Sequence, residues 1–515
     1  MPLVRAHSTS TKVASVLAEN RLGIPAVAYF ALAMGAPLTI LVGAVSPAYA
    51  NARQLGIPLA FVLMGTVLGL FSVGYVAMAS RVPNAGAFNA YVSKGLGRPL
   101  GVAVGWISVV AYGALQIGFF GALGDAAQPV FRAWFGLDLA WWVYSLAGWV
   151  VVACLGLQYI DLNGKVLALL LIAECLVIVV YSAANLANPA RGTAFADGLA
   201  VESLFAPGAG TLFAIAILGF VGFETTAVFG EETRSARRTV PIATFLSLGV
   251  LVLLYVLGSW SMSVAVGPDR IADVARGQGT NLMFDLAAAN LGGWAAEVGR
   301  LLYITGVLAA LIAFHNTAAR YAFSLGRERL LPAFLGRTSQ RTNSPRNGSL
   351  AQSAVSGLVI GGYAVAGGDP VRDLFFIWST TGSIGVLLLI ATTAIAVVVF
   401  FARVPSRRRA RPGVVVPVLA CLGCLLALVL VLSTLDSLLE VDGDSPLRWG
   451  IPAFYLGIAV LGVGWGLVLR RRRPAVYAMI GLGTMSASGT GLGQVGHDDE
   501  TRPRRRYAGL SQPLG

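Results

Sequence analysis

Two carboxylates stand inside long apolar runs: Glu174, within Leu-Ile-Ala-Glu-Cys-Leu, and Glu224, just behind the glycine pair Gly219 and Gly222. A charged side chain at the centre of a bilayer costs about 2.5–3.5 kcal/mol on insertion scales, so such residues normally face a cavity or a partner. Burial disfavours the ionised form of a carboxyl group, which is the chemistry a proton carrier needs near neutral pH. The plainer alternative for each is a protonated Glu hydrogen-bonded to a neighbouring helix. Beside these acids the backbone itself is interrupted. In Gly35-Ala36-Pro37 the proline removes a donor and clashes with the preceding turn, which predicts a helix break. In Gly219-Phe-Val-Gly222-Phe-Glu224 two glycines lower helix propensity in mid-run. His315, next to Asn316, belongs to a residue type that titrates in the physiological range and suits gating or proton movement, although near the inner end of its helix a plain polar contact is the stronger reading. Trp378, Ser379, Thr380 and Thr381 form a polar group that could line a pathway, with an interfacial Trp anchor as the alternative.

The elements that must position these residues follow from composition. Of 515 residues 56% are hydrophobic and 12% charged, against roughly 25% charged in soluble domains. Apolar runs of about 20 residues, enough for a hydrocarbon core of about 30 Å, recur twelve times. They lie near 24–45, 58–79, 101–124, 140–158, 164–186, 209–230, 241–266, 295–319, 349–366, 374–402, 414–434 and 449–469. The net charge of +13 does not indicate nucleic acid, because the basic residues cluster in alternate connections. Arg81, Lys94 and Arg98, then Arg234, Arg237 and Arg238, then Arg320, Arg327 and Arg329, then Arg403 and Arg407 to Arg409 all fall on one side if the N-terminus is inside. Both termini are therefore expected in the cytoplasm, with the chain in the cell membrane. Three domains follow: a tail over 1–22, a transmembrane domain over 23–470, and a tail over 471–515, both tails polar and expected to be disordered. Ser46-Pro-Ala-Tyr-Ala50 imitates a cleavage site, but the preceding run is too long for a signal peptide.

Several function classes are excluded by what the chain lacks. His7, His315 and His497 are far apart, and no His-Glu-x-x-His, Gly-x-Ser-x-Gly or Walker lysine motif occurs, so neither an enzyme nor a cofactor is expected. Cys154, Cys175, Cys421 and Cys424 lie within apolar runs and read as packing residues rather than metal ligands. The two interruptions sit five runs apart, hence in oppositely directed helices. Inverted repeats produce that pattern, with two discontinuous helices meeting near mid-membrane around a solute cavity.

Phe220-Val-Gly-Phe-Glu224 followed by Gly230-Glu-Glu-Thr-Arg-Ser-Ala-Arg-Arg-Thr-Val-Pro241 resembles the bacterial amino-acid permeases of the amino acid, polyamine and organocation superfamily. Pro83-Asn-Ala-Gly86-Ala-Phe-Asn-Ala-Tyr91, Asn316-Thr-Ala-Ala-Arg320 and Gly326-Arg-Glu-Arg-Leu-Leu-Pro332 are similar to further segments of that family. The resemblance implies an all-α membrane protein with a five-plus-five inverted repeat, discontinuous helices 1 and 6, and two peripheral helices. It implies secondary transport of an amino acid or related amine by alternating access, with protons as the expected coupling ion. Carried over, Met34, Gly35, Ala36, Leu38 and Thr39 would offer the substrate carboxylate their backbone N–H groups, and Gly219, Phe220, Val221 and Gly222 would offer carbonyls to its amino group. Phe223 or Phe220 would close over the substrate, and Glu174 or Glu224 would carry the proton. Pro37 departs from the family pattern, since it has no N–H to offer, which leaves an amine without a carboxylate as the alternative substrate.

Overall fold

The computed structural model describes residues 17–52, 55–204, 209–403, 412–439, 441 and 445–483. Among these the chain is helical, without a strand beyond an isolated bridge between Leu22 and Thr233. Eleven helices are long and apolar enough to cross a membrane: Ile24–Ala50, Ile57–Ala79, Arg98–Phe135, Ile160–Ala187, Gly210–Ala227, Ala236–Val266, Gly293–Arg327, Arg346–Ala366, Pro370–Arg403, Val414–Ser433 and Pro446–Arg472. With the shorter Trp141–Gly156 in fourth place, they match the twelve expected spans in order, and they are numbered 1 to 12 here. Span 4 has 16 residues, about 24 Å of helix, which falls short of a full hydrocarbon core. Short helices at Ala87–Gly95, Ile271–Gln278 and Leu282–Leu291 were below the length at which hydropathy detects a span.

Each of spans 1, 2, 3 and 4 packs against the span five places later. That is the contact pattern of two inverted halves meeting about a common axis. Spans 11 and 12 lie outside this core and present Leu422, Leu426, Val429, Leu456 and Leu461 outward. So extensive an exposed apolar surface is compatible with lipid and not with water.

Residues 17–22 and 471–483, expected as parts of polar tails, are packed against the transmembrane domain. Residues 1–16 and 484–515 lie outside the described residues, but their neighbours are packed. Arg21 and Leu22 donate their N–H groups to the Glu232 carbonyl at 2.9 and 3.0 Å, and Leu22 returns its carbonyl to Arg234 N–H. After span 12, the helix Pro474–Met479 turns back so that Val476 and Ile480 pack with Val102, Leu325, Leu330 and Leu469. Arg98 donates to the Ala478 carbonyl at 3.1 Å. Gly481 and Gly483, at φ 77° and 61°, aim their N–H groups at the buried Glu328 carboxylate at 3.0 and 3.3 Å. Successive N–H groups in this left-handed conformation form an anion-binding concavity. Asn89 and Asn84 donate to the same carboxylate at 3.0 and 3.4 Å. Burial pushes the Glu328 carboxyl above its usual range, and the Gly481 N–H offsets only part of that rise. Val476 and Ile480, two apolar side chains shortly beyond an Arg run and too few for a hydropathy window, hold this segment in place.

Candidate functional site

Span 1 breaks where Pro37 requires. Its first helix ends at Gly35, Ala36 turns through the left-handed region at φ 42° and ψ 63°, and Pro37 occupies the first position of the next helical piece. Proline suits that position because the N–H it lacks would have no intrahelical acceptor. Ala36 bears the cost, since an L-residue with a Cβ in this region is strained by roughly 1–2 kcal/mol. Ala36→Gly is accordingly expected to raise stability by up to about 1 kcal/mol, measured as thermal unfolding of the purified protein in detergent; a lower melting temperature would contradict the assignment of strain.

Span 6 breaks over Phe220 to Gly222 and continues as a tighter turn, Phe223–Ala227. Gly222 sits at φ 123°, and a Cβ there would lie 2.4 Å from the Met34 Cβ. The two breaks therefore touch at a glycine. Tyr255 of span 7 pins them together: its hydroxyl lies 2.6 Å from the Gly35 carbonyl and 2.7 Å from the Gly219 carbonyl, one proton serving both.

Each buried acid is tied to a break. Glu174 of span 5 accepts the Leu38 N–H at 2.7 Å through Oε1, while its Oε2 is buried with no partner among the described residues. Glu224 folds back to accept the Gly222 N–H at 2.9 and 3.1 Å and the Tyr112 hydroxyl at 2.6 Å. Tyr75 donates to the Glu224 carbonyl at 2.7 Å. Sequence reasoning found both acids by the cost of their burial. It missed Tyr75, Tyr112 and Tyr255, because a tyrosine in an apolar helix costs little and leaves no comparable signal.

From the breaks a cavity of 660 Å³ runs toward the end of the bundle opposite Leu22, past Pro47, Ala48 and Thr211. Its size falls in the range of roughly 300–1,000 Å³ usual for small-molecule sites. Met34, Gly35 and Thr39 from span 1, and Gly219 and Val221 from span 6, lie on its wall. So do Ser379 and Thr380 of the polar group in span 10. Thr39 Oγ1 and Ser379 Oγ are buried without a hydrogen-bond partner among the described residues, the condition of groups awaiting a ligand or water.

The other expected contacts are placed differently. Ala36, Leu38, Phe220, Gly222 and Phe223 are not among the residues lining the cavity. The Ala36 N–H bonds back to Leu32 and Ala33 carbonyls at 3.2 Å, and that of Leu38 is taken by Glu174, so neither is available to a carboxylate in this conformation. Phe220 is buried in a ring cluster with Phe61 and Tyr255, and Phe223 packs edge-on to Phe71, so neither covers the cavity. The aromatic rings on its wall are Phe119, Phe314, Phe375 and Phe376. His315 is bound in a polar chain: it lies 3.1 Å from Gln116 and 2.8 Å from Ser349, and Gln352 donates to Gln116 at 2.8 Å.

At the Leu22 end the chain is closed by two buried ion pairs between the segment after span 6 and the exit of span 8. Glu232 takes two bonds from Arg320 at 2.6 and 2.9 Å, and Glu231 two from Arg327 at 2.7 and 2.9 Å. Arg320 and Arg327, counted in the sequence as topology signals, thus also join two of the motif segments.

Residues 25–461 match the family described as amino acid permease. The chain is similar to an uncharacterized transporter of Mycobacterium tuberculosis, 26% identical over 79% of this chain and 86% of that protein. It is similar to the branched-chain amino acid permease BcaP of Bacillus subtilis, 24% identical over 72% of this chain and 79% of that protein. It is similar as well to the low-affinity putrescine importer PlaP of Escherichia coli, 24% identical over 69% of this chain and 77% of that protein. A match of the family across most of the length, on a fold with paired broken helices around a central cavity, establishes that the chain belongs to the amino acid permease family.

Proposed function

We propose that this multi-pass membrane transporter, which is not an enzyme, carries amino acids across the cytoplasmic membrane by alternating access, driven by protons. The observation that carries the reading is the cavity ending at the two touching breaks, with one buried acid tied to each break. Half-helices meeting at mid-membrane supply opposed dipole ends to a zwitterion, the N-terminal end of the second half of span 1 favouring a carboxylate and the C-terminal end of the first half of span 6 favouring an ammonium. Met34, Gly35, Thr39, Gly219 and Val221 are the substrate contacts in this reading. With both termini in the cytoplasm, the cavity faces outward, and the Glu231–Arg327 and Glu232–Arg320 pairs close the inner exit. Opening that exit requires the segment carrying Glu231 and Glu232 to part from span 8.

Glu174 is the preferred proton site. Its Oε1 holds the Leu38 N–H and its Oε2 is left for the proton, so loading reads directly onto the hinge of span 1. Glu224 is the second candidate. The name of the putrescine importer supports an amine as the other substrate class, and so does the missing Pro37 N–H.

Proteoliposomes containing the purified chain are expected to accumulate labelled amino acids under an inward proton gradient and to lose the accumulation on adding a protonophore. Glu174→Gln preserves the acceptor for Leu38 but not the proton. It is expected to abolish accumulation while leaving exchange of internal for external substrate intact. Gradient-driven uptake in a chain carrying both Glu174→Gln and Glu224→Gln would rule these acids out as proton carriers.

A further inference from the structure

We infer that the substrate is an amino acid with an uncharged, apolar side chain, and that amino acids with charged side chains and polyamines are refused. The inference rests on the transport reading above and concerns the wall of the same cavity. No described residue on that wall carries a charge. Its polar groups are hydroxyls, Thr39, Thr211, Ser379, Thr380 and Ser383, and the backbone at the two breaks. The rest of the lining is aliphatic or aromatic.

A zwitterionic head has one ammonium and one carboxylate, which the opposed half-helix ends and the unpartnered Thr39 and Ser379 hydroxyls can meet. A lysine side chain or the far end of a polyamine brings a second ammonium. Such a charge needs a carboxylate, and burying it without one costs more than its contacts return. Neither of the two nearby acids is on the wall: Glu224 is held by Gly222 and Tyr112, and Glu174 gives Oε1 to Leu38 while its unpartnered Oε2 is the proton site of the reading above. A side-chain carboxylate fares no better, as no Arg or Lys is on the wall among the described residues. What the wall does offer is an aromatic corner, with Phe119 edge-on to Phe314 at 5.0 Å and to Phe375 at 5.6 Å. Leu115, Ile215 and Leu218 are further apolar residues of the same wall. Branched and aromatic side chains bury apolar area there at no cost in unpaired charge.

The test is a panel of labelled leucine, phenylalanine, glycine, glutamate, lysine and putrescine, each offered to proteoliposomes under the same gradient. Leucine and phenylalanine should accumulate, and lysine, glutamate and putrescine should neither accumulate nor compete. Accumulation of lysine or putrescine, or a preference for glycine over leucine, overturns the inference and leaves the transport reading standing. Accumulation of no solute on the panel, with the protein monodisperse, overturns both. Leu115→Asp is expected to cut leucine uptake by at least about tenfold, equivalent to one wall contact of ordinary worth. Ile215→Asp, on a different span, repeats the measurement should the first variant fail to fold. Leucine uptake unchanged in a folded variant would remove the apolar wall from recognition.

Discussion

Arg320→Ala is expected to lower the stability of the folded protein by about 3–5 kcal/mol, the penalty for leaving a buried carboxylate unpaired. Arg320 and Glu232 are each 1% exposed, and the arginine closes its fork on both carboxylate oxygens. Its remaining nitrogen donates to the Asn316 carbonyl and side chain at 2.9 and 3.1 Å, and its guanidinium lies 4.8 Å from the centre of the Phe229 ring. Lysine cannot reproduce this, because a point charge lacks the planar fork and the stacking face, so Arg320→Lys should lie close to Arg320→Ala. Removing both charges, as Arg320→Met with Glu232→Leu, should recover most of the loss, since the desolvation cost leaves with them. Thermal unfolding in detergent reads all three variants. A melting temperature for Arg320→Ala equal to that of the parent would show that the pair does not hold the Leu22 end closed.

Gly222→Ala is expected to abolish uptake and to reduce the yield of monodisperse protein. Two costs coincide at this residue. An alanine at φ 123° is strained by roughly 1–2 kcal/mol, and its methyl group, 2.4 Å from the Met34 Cβ, adds overpacking of about 1–3 kcal/mol. Relief would require the breaks in spans 1 and 6 to separate, against the Tyr255 hydroxyl that joins Gly35 to Gly219. Gly69→Ala provides the control. It lies in span 2, and a Cβ there meets no atom within 4 Å. Equal uptake by the two variants would remove the close crossing at Gly222 from the transport mechanism.

The parts of this architecture that the sequence discloses are those decided by the backbone and by cost per residue. Apolar length places the spans. Pro37 and Gly222 mark the breaks because each alters what the main chain can do, and Glu174 and Glu224 stand out because a buried acid is expensive wherever it points. What the sequence withholds is direction and partnership. Nothing local says that Phe220 turns to Phe61 and Tyr255 rather than into the cavity, since an aromatic ring is at home on either side of a broken helix. Nothing local says that the Leu38 N–H belongs to Glu174, 136 residues away. The same limit explains Arg320, whose position at a span's end satisfies the topology rule whether it reaches the headgroups or folds into the protein.

The turn that wraps Gly481 and Gly483 around Glu328 bears on how this protein can be handled. A hydropathy plot ends the membrane domain at the arginines of 470–473 and invites a stop codon or a purification tag there. Cutting at Arg473 would strip two of the four donors from a buried carboxylate and uncover Leu325 and Leu330. The shortened chain would behave as a damaged one. Tags and reporters belong beyond Gly483, and comparisons between clones of different length should treat residues 474–483 as part of the folding unit.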